Sequence, residues 1–191
     1  MDAVIATGED RLEGLRLLVE SAAGVAARDG DLKAVRELRF GRPGLDRGRW
    51  SEIAAMGWLG LRLPEAAGGA GLGMAEYAAL AGEVGAALLP EPFIEAQLAL
   101  DLMGKDAPAE ASRGDRLVLP AWLDATDGLT IAGGITEAGG RISGRRRFVP
   151  MAAAADAFLV VATEACWLID AKAAGVTLES KTPLMAVTRR P

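Results

Sequence analysis

The chain has 191 residues, of which 51% are hydrophobic and 25% charged, the balance of an ordinary globular protein. Its net charge of −5 offers no general attraction to nucleic acid or to an anionic membrane. Histidine is absent and Cys166 is the one cysteine, which excludes Ser–His and Cys–His catalysis, imidazole-held metals, cysteine zinc sites and internal disulfides. A lone thiol fits a cytoplasmic setting. The start Met1-Asp2-Ala3-Val4 lacks a basic, then apolar, leader, and no apolar run approaches the roughly 20 residues of a spanning helix.

Up to about position 114 the apolar residues recur at helical spacing. Residues 7–10 read as a helix N-terminus, and Leu12, Leu15, Val19, Ala22, Ala23 and Ala26 follow on one stripe. Further helices are predicted over 31–39, 50–56, 74–87, 92–104 and 108–113. Gly57 stands where a left-handed residue ends the third. Gly82 and Gly85 weaken the fourth, so close approach of another backbone is expected there. A short strand over 61–63 ends at Pro64.

After position 114 the period shortens. Brief apolar or alternating runs at 117–123, 129–131, 141–143, 148–149, 158–162, 167–170 and 176–178 predict strands, separated by Asp-Gly, Gly-Gly and Ser-Gly turns. The order predicts an α+β chain: an all-α domain over 1–114, then an antiparallel barrel- or sandwich-like β domain over 115–191.

Few residues declare chemistry on their own. Glycines at 68, 69, 71 and 73 do not match G-x-G-x-x-G, and no Lys-Ser or Lys-Thr follows, so a turn before a helix is the better reading than a phosphate cradle. Arg141, Arg145, Arg146 and Arg147 read as a solvated hairpin rim rather than an anion site. Cys166, in an apolar run, reads as a buried packing residue. Glu83 and Glu91 border apolar helical stretches, where either surface acids or catalytic carboxylates fit.

Longer stretches carry a resemblance. Residues 50–61, ending Gly57-Trp58-Leu59-Gly60-Leu61, and their continuation Pro64-Glu65 to Gly68-Gly69-Ala70-Gly71 resemble the acyl-CoA dehydrogenase family. So do Glu83-Val84-Gly85 running on to Pro90-Glu91-Pro92-Phe93, then Ser143-Gly144-Arg145 to Phe148-Val149-Pro150, and Ala155-Asp156-Ala157-Phe158. Each piece is weakly specific, but they occur in the family's order over nearly the whole chain.

The resemblance implies a helical domain followed by a β domain, and α,β-dehydrogenation of an acyl-CoA thioester with FAD as cofactor. It assigns flavin contacts to Trp122, Leu123 and Asp124 and to Phe148, Val149 and Pro150. Leu123 replaces the family's hydroxyl, and Pro150 has neither hydroxyl nor N–H, so the flavin is expected to need contacts from beyond this chain. Leu89, Phe93 and Leu100 are candidate walls of an acyl slot, with a helical core as their other reading. No counterpart of the family's C-terminal helical domain is present in the 191 residues, and no catalytic base is assigned. The resemblance therefore implies an acyl-CoA dehydrogenase-like subunit, in a homo- or hetero-oligomer with another such subunit. The other reading is a non-catalytic acyl-CoA-binding scaffold that shapes a partner's pocket. Neither nucleic acid nor membrane is an expected partner, and no metal site is expected.

Overall fold

The computed structural model describes residues 8–25, 33–41, 43–124 and 134–179. Helices come first: α1 (Gly8–Val25), α2 (Lys33–Phe40), α3 (Arg47–Ala55), α4 (Met74–Ala86), α5 (Phe93–Met103) and α6 (Ala109–Ser112). Strands follow: β1 (Val118–Ala121), β2 (Thr136–Ala138), β3 (Arg141–Ser143), β4 (Ala157–Val161) and β5 (Cys166–Asp170). The α+β order read from the sequence is therefore the order observed. The predicted strand at 129–131 lies outside the described residues, as do Thr7 and Ala26 of the first predicted helix.

Local chemistry sets the helix ends. The Asp46 carboxylate accepts from the backbone N–H of Gly48 and Arg49 at 2.8 and 3.2 Å, so α3 starts three residues before its predicted position. Gly57, at φ 75°, closes it as expected. At α4 the Glu76 carboxylate accepts from Gly73 N at 2.9 Å. α1 packs on α4, with Leu15, Leu18 and Val19 half-buried and Ala22 buried, while Leu12 and Ala23 of the predicted stripe stay exposed.

Two expectations for the helical half are corrected. Among the described residues no backbone covers Gly82 or Gly85, since a Cβ at either meets no atom within 4 Å; both glycines lie on the open side of α4. The strand predicted at 61–63 is instead part of a tight coil, with a 3-10 turn over Trp58–Gly60 and another over Glu65–Ala67. There the chain folds back on itself: Ala70 N donates to Gly60 O, Gly71 N to Leu63 O and Leu72 N to Leu61 O. Gly69 is pressed so closely on the Leu63 backbone that any Cβ would fall on its carbonyl.

One core runs through both halves. Trp50, Trp58, Phe93 and Leu100 from the helical part are fully buried, as are Leu117 and Leu119 from the sheet side, and α5 lies on β1. Each such side chain contributes roughly 1.5–3 kcal/mol of burial. Gln97 is fully buried among them. Its amide NH₂ donates to the carbonyls of Leu59 and Trp58 at 3.1 and 3.2 Å, tying the coil to α5.

The sheet has the order β1-β4-β5. β4 and β5 run antiparallel, but β1 and β4 run parallel, with Val118 opposite Ala157. This corrects the purely antiparallel expectation. Residues 122–156, which include the β2–β3 hairpin, provide the long connection that a parallel pair requires. Among the described residues no closed barrel forms. The run at 148–149 is no strand, because Phe148 and Met151 adopt left-handed backbone at φ 54° and 53°; only the single bridge Leu123–Arg147 forms beside it. Residues 176–178 form no strand either. Cys166, expected to be buried, is exposed: β5 is an edge strand whose alternation turns Cys166, Leu168 and Asp170 outward.

Asp156 joins the layers. Its Oδ2 accepts from Leu117 N at 2.7 Å and from Arg47 Nη1 at 2.8 Å, and Arg47 Nη2 also reaches Ala154 O at 2.6 Å. Three stability measurements by denaturant titration follow. Asp156→Ala strands the part-buried Leu117 N–H and is expected to cost about 1–3 kcal/mol, while Arg47→Ala, at a half-exposed pair, costs under about 1 kcal/mol. Gly69→Ala overpacks the coil and is expected to cost about 1–3 kcal/mol.

Candidate functional site

A cavity of about 340 Å³ opens where the end of α4 and the start of α5 meet the loop after Phe148. Val84, Gly85, Leu89, Pro90, Glu91, Pro92, Phe93, Ile94 and Glu95 line one side, and Pro150 and Met151 the other. Its wall is largely apolar and stiff: prolines at 90, 92 and 150 have little freedom to collapse inward. Because a Cβ at Gly85 would meet nothing, that glycine leaves the cavity room that a side chain would occupy.

The non-glycine residues with left-handed backbone among those described are Leu88, Phe148 and Met151, at φ 53–54°. All three belong to or adjoin the two segments that form this cavity. Such conformations cost of order 1 kcal/mol each and persist where surrounding structure imposes them, which singles this junction out.

The site residues named from sequence fall into two groups. Leu89 and Phe93 line the cavity, and Phe93 also stacks on Tyr77 with ring centroids 5.9 Å apart. Leu100 lies in the core, 1% exposed, and is not among the lining residues. Trp122, Leu123 and Asp124 follow β1, and the bond from Arg147 N to Leu123 O at 2.7 Å sets this stretch beside the segment leading to Phe148, Val149 and Pro150. Phe148 and Asp124 are exposed, whereas Trp122, Leu123 and Val149 are half-buried. Of these six, Pro150 reaches the cavity. The structure thus brings one proposed flavin position and two proposed acyl positions around a single opening.

The nearby arginines divide. Arg146 is spent on structure, donating from Nε and Nη2 to Val161 O at 3.2 and 2.8 Å; burial lowers its pKa and Asp124 opposes that shift. Arg141, Arg145 and Arg147 stay exposed, in keeping with a solvated rim.

Glu91 is the feature that sequence reasoning underrated. It is 4% exposed, and neither carboxylate oxygen has a hydrogen-bond partner. Burial raises its pKa above the ordinary 4.5; its own backbone amide and Arg49 pull it back, and Asp46 and Glu52 add to the rise. The usable signal was an acid set between two prolines in an apolar run, Pro90-Glu91-Pro92. Among the described residues no cluster of three metal-ligating side chains occurs, and no helix is long and apolar enough to cross a membrane.

Comparison with known proteins names the architecture. Residues 14–107 match the model of the acyl-CoA dehydrogenase N-terminal domain. This part of the chain is an acyl-CoA dehydrogenase N-terminal domain. A variant of the Tcur3481–Tcur3483 steroid ACAD is 29% identical over 85% of the chain, with a TM-score of 0.75. The ChsE4–ChsE5 complex from Mycobacterium tuberculosis is 28% identical over 95%, with a TM-score of 0.67. PigA with FAD and proline, 18% identical over 92% with a TM-score of 0.65, shares the fold. The acyl-CoA dehydrogenase-like chain covers 49%, 52% and 51% of these chains respectively, about half their length. No curated protein matches the sequence.

The residues at 122–124 and 148–150 offer a poor donor set for a flavin. Leu123 carries no hydroxyl, its carbonyl is taken by Arg147, and Pro150 has no N–H.

Glu91 also sets a pH response. A carboxyl whose folded pKa is raised contributes stability that is fully present below its unfolded pKa and is lost as pH rises through the folded value. Thermal melts from pH 4 upward are therefore expected to show a falling branch in the wild type that Glu91→Gln removes. A Glu91→Gln profile that follows the wild type at every pH refutes the assignment.

Proposed function

We propose that the chain is one part of an acyl-CoA dehydrogenase-type assembly, and that its cavity holds the acyl portion of a thioester. The observation that carries this reading is the cavity itself. It is apolar and rigid-walled, and it lies where the N-terminal helical domain meets the strand-side loop. An acyl group gains from leaving water there, and the proline-rich wall limits what reordering the site needs on binding. The proposed substrate contacts are Leu89 and Phe93, with Leu100 backing them from the core.

FAD is the cofactor of the proposed assembly and would supply the hydride acceptor. The donor set at Trp122, Leu123, Asp124, Phe148, Val149 and Pro150 favours a flavin held chiefly by another subunit or domain. Two similar structures support a paired arrangement, one a Tcur3481–Tcur3483 steroid ACAD and the other a ChsE4–ChsE5 complex. We therefore place the base and most flavin contacts outside these 191 residues, in a cytoplasmic oligomer with a second acyl-CoA dehydrogenase-like chain. The same weak donor set favours a second reading, a non-catalytic subunit that binds acyl-CoA and shapes its partner's pocket.

Expression alone and beside a candidate partner subunit tests both readings. A colourless chain that binds octanoyl-CoA, and a yellow complex whose flavin bleaches on adding a substrate thioester, are the expected results. Gly85→Met, whose Cβ would meet no atom within 4 Å and whose side chain would take up space at the cavity wall, is expected to weaken acyl-CoA binding at least tenfold while leaving the melting temperature within a few degrees. Tight acyl-CoA binding by Gly85→Met rejects this location for the acyl group. A complex that stays colourless favours the scaffold.

A further inference from the structure

An unpaired buried carboxyl is costly, and it is the one conspicuously unsatisfied acidic group in the cavity wall. Glu91 is 4% exposed, both its oxygens are closed to water, and neither meets a donor or acceptor. Leaving a buried polar group unsatisfied costs roughly 1–3 kcal/mol. Its own backbone N–H and the Arg49 charge offset that cost only in part, since the net effect still favours the neutral form. Asp46, Arg49 and Glu52, from the N-terminal part of α3 and its cap, are the charged groups that act on it, and none forms a hydrogen bond or ion pair with it. The residue is held between Pro90 and Pro92, next to Leu88 with its left-handed backbone. Its backbone position is thereby constrained while the side chain keeps its own torsions.

We propose that Glu91 is a specificity determinant of the acyl cavity, taking a hydroxyl or ketone oxygen carried on an otherwise apolar acyl group. The inference rests on the acyl reading of the cavity given above. Contact requires the carboxyl to turn about its side-chain bonds into the space it borders. A ligand oxygen then supplies the partner that the free protein lacks. A neutral carboxyl suits this role, because its O–H donates to a ketone or hydroxyl while its carbonyl oxygen accepts from a hydroxyl. Burial favours that neutral form. A plain alkyl group offers nothing to the carboxyl, so it leaves the penalty in place. Sites built to hydrogen-bond a substrate oxygen discriminate more sharply than apolar pockets sensing one methylene, and for the same reason.

Calorimetric titration of the full chain with octanoyl-, decanoyl- and dodecanoyl-CoA, each beside its ω-hydroxy counterpart, provides the test. At one chain length or more, the hydroxylated probe is expected to bind the wild type at least tenfold more tightly. Glu91→Leu is expected to abolish that preference, and Glu91→Gln, which keeps a donor and an acceptor, to retain most of it. An infrared difference spectrum of the wild type gives a measurement independent of variant folding. The carboxylic C=O band lost in Glu91→Gln is expected to shift with the hydroxylated probe and not with its parent. Equal affinities for both members of every pair, or a preference that survives Glu91→Leu, overturns the proposal while the acyl cavity stands. If no probe of either kind binds the wild type, the cavity reading fails and takes this inference with it.

Discussion

The architecture depends on how a helical layer and a small sheet are held to one core. Asp156 carries much of that burden. Its carboxylate accepts from Leu117 N, the residue just before β1, and at the same time grips Arg47 at the start of α3. The Asp156–Arg47 pair is half-exposed, so its Coulomb part is modest. The bond to Leu117 N is the greater constraint, because it aligns β1 beside β4 at the place where α5 already covers the strand. With β1 so placed, Leu117 and Leu119 enter the same core as Trp50, Trp58 and Phe93.

The cavity is a consequence of that docking. α5 cannot shift relative to the coil before it, since the buried Gln97 amide holds the carbonyls of Leu59 and Trp58. Nor can the 148–151 segment withdraw freely, since Ala154, just beyond it, is buried and its carbonyl accepts from Arg47. Between these fixed elements the proline-rich turn into α5 and the Phe148–Met151 loop are left facing each other across open space. Backbone strain at Leu88, Phe148 and Met151 collects there because neither loop has room to relax without disturbing the core.

The chemistry of this opening is one-sided. Its walls are largely apolar with one hidden acid, and among the described residues no metal-ligating cluster occurs.

The order of elements was legible from the amino acids because it depends on local periods: helical spacing before position 114, short alternation and Gly-Gly turns after it. Cap chemistry was legible for the same reason at Gly57, and the family resemblance placed Leu89, Phe93 and Pro150 among the site candidates. Tertiary structure alone decided what depends on distant neighbours. The parallel pairing of β1 with β4 is set by Asp156, 38 residues after Val118. Exposure of Cys166 follows from its strand lying at the sheet edge, and the open faces of Gly82 and Gly85 from the absence of any covering element among the described residues. For Glu91 the sequence left a surface acid and a catalytic carboxylate equally open, because it records the charge of a residue but not the removal of water and partners from around it.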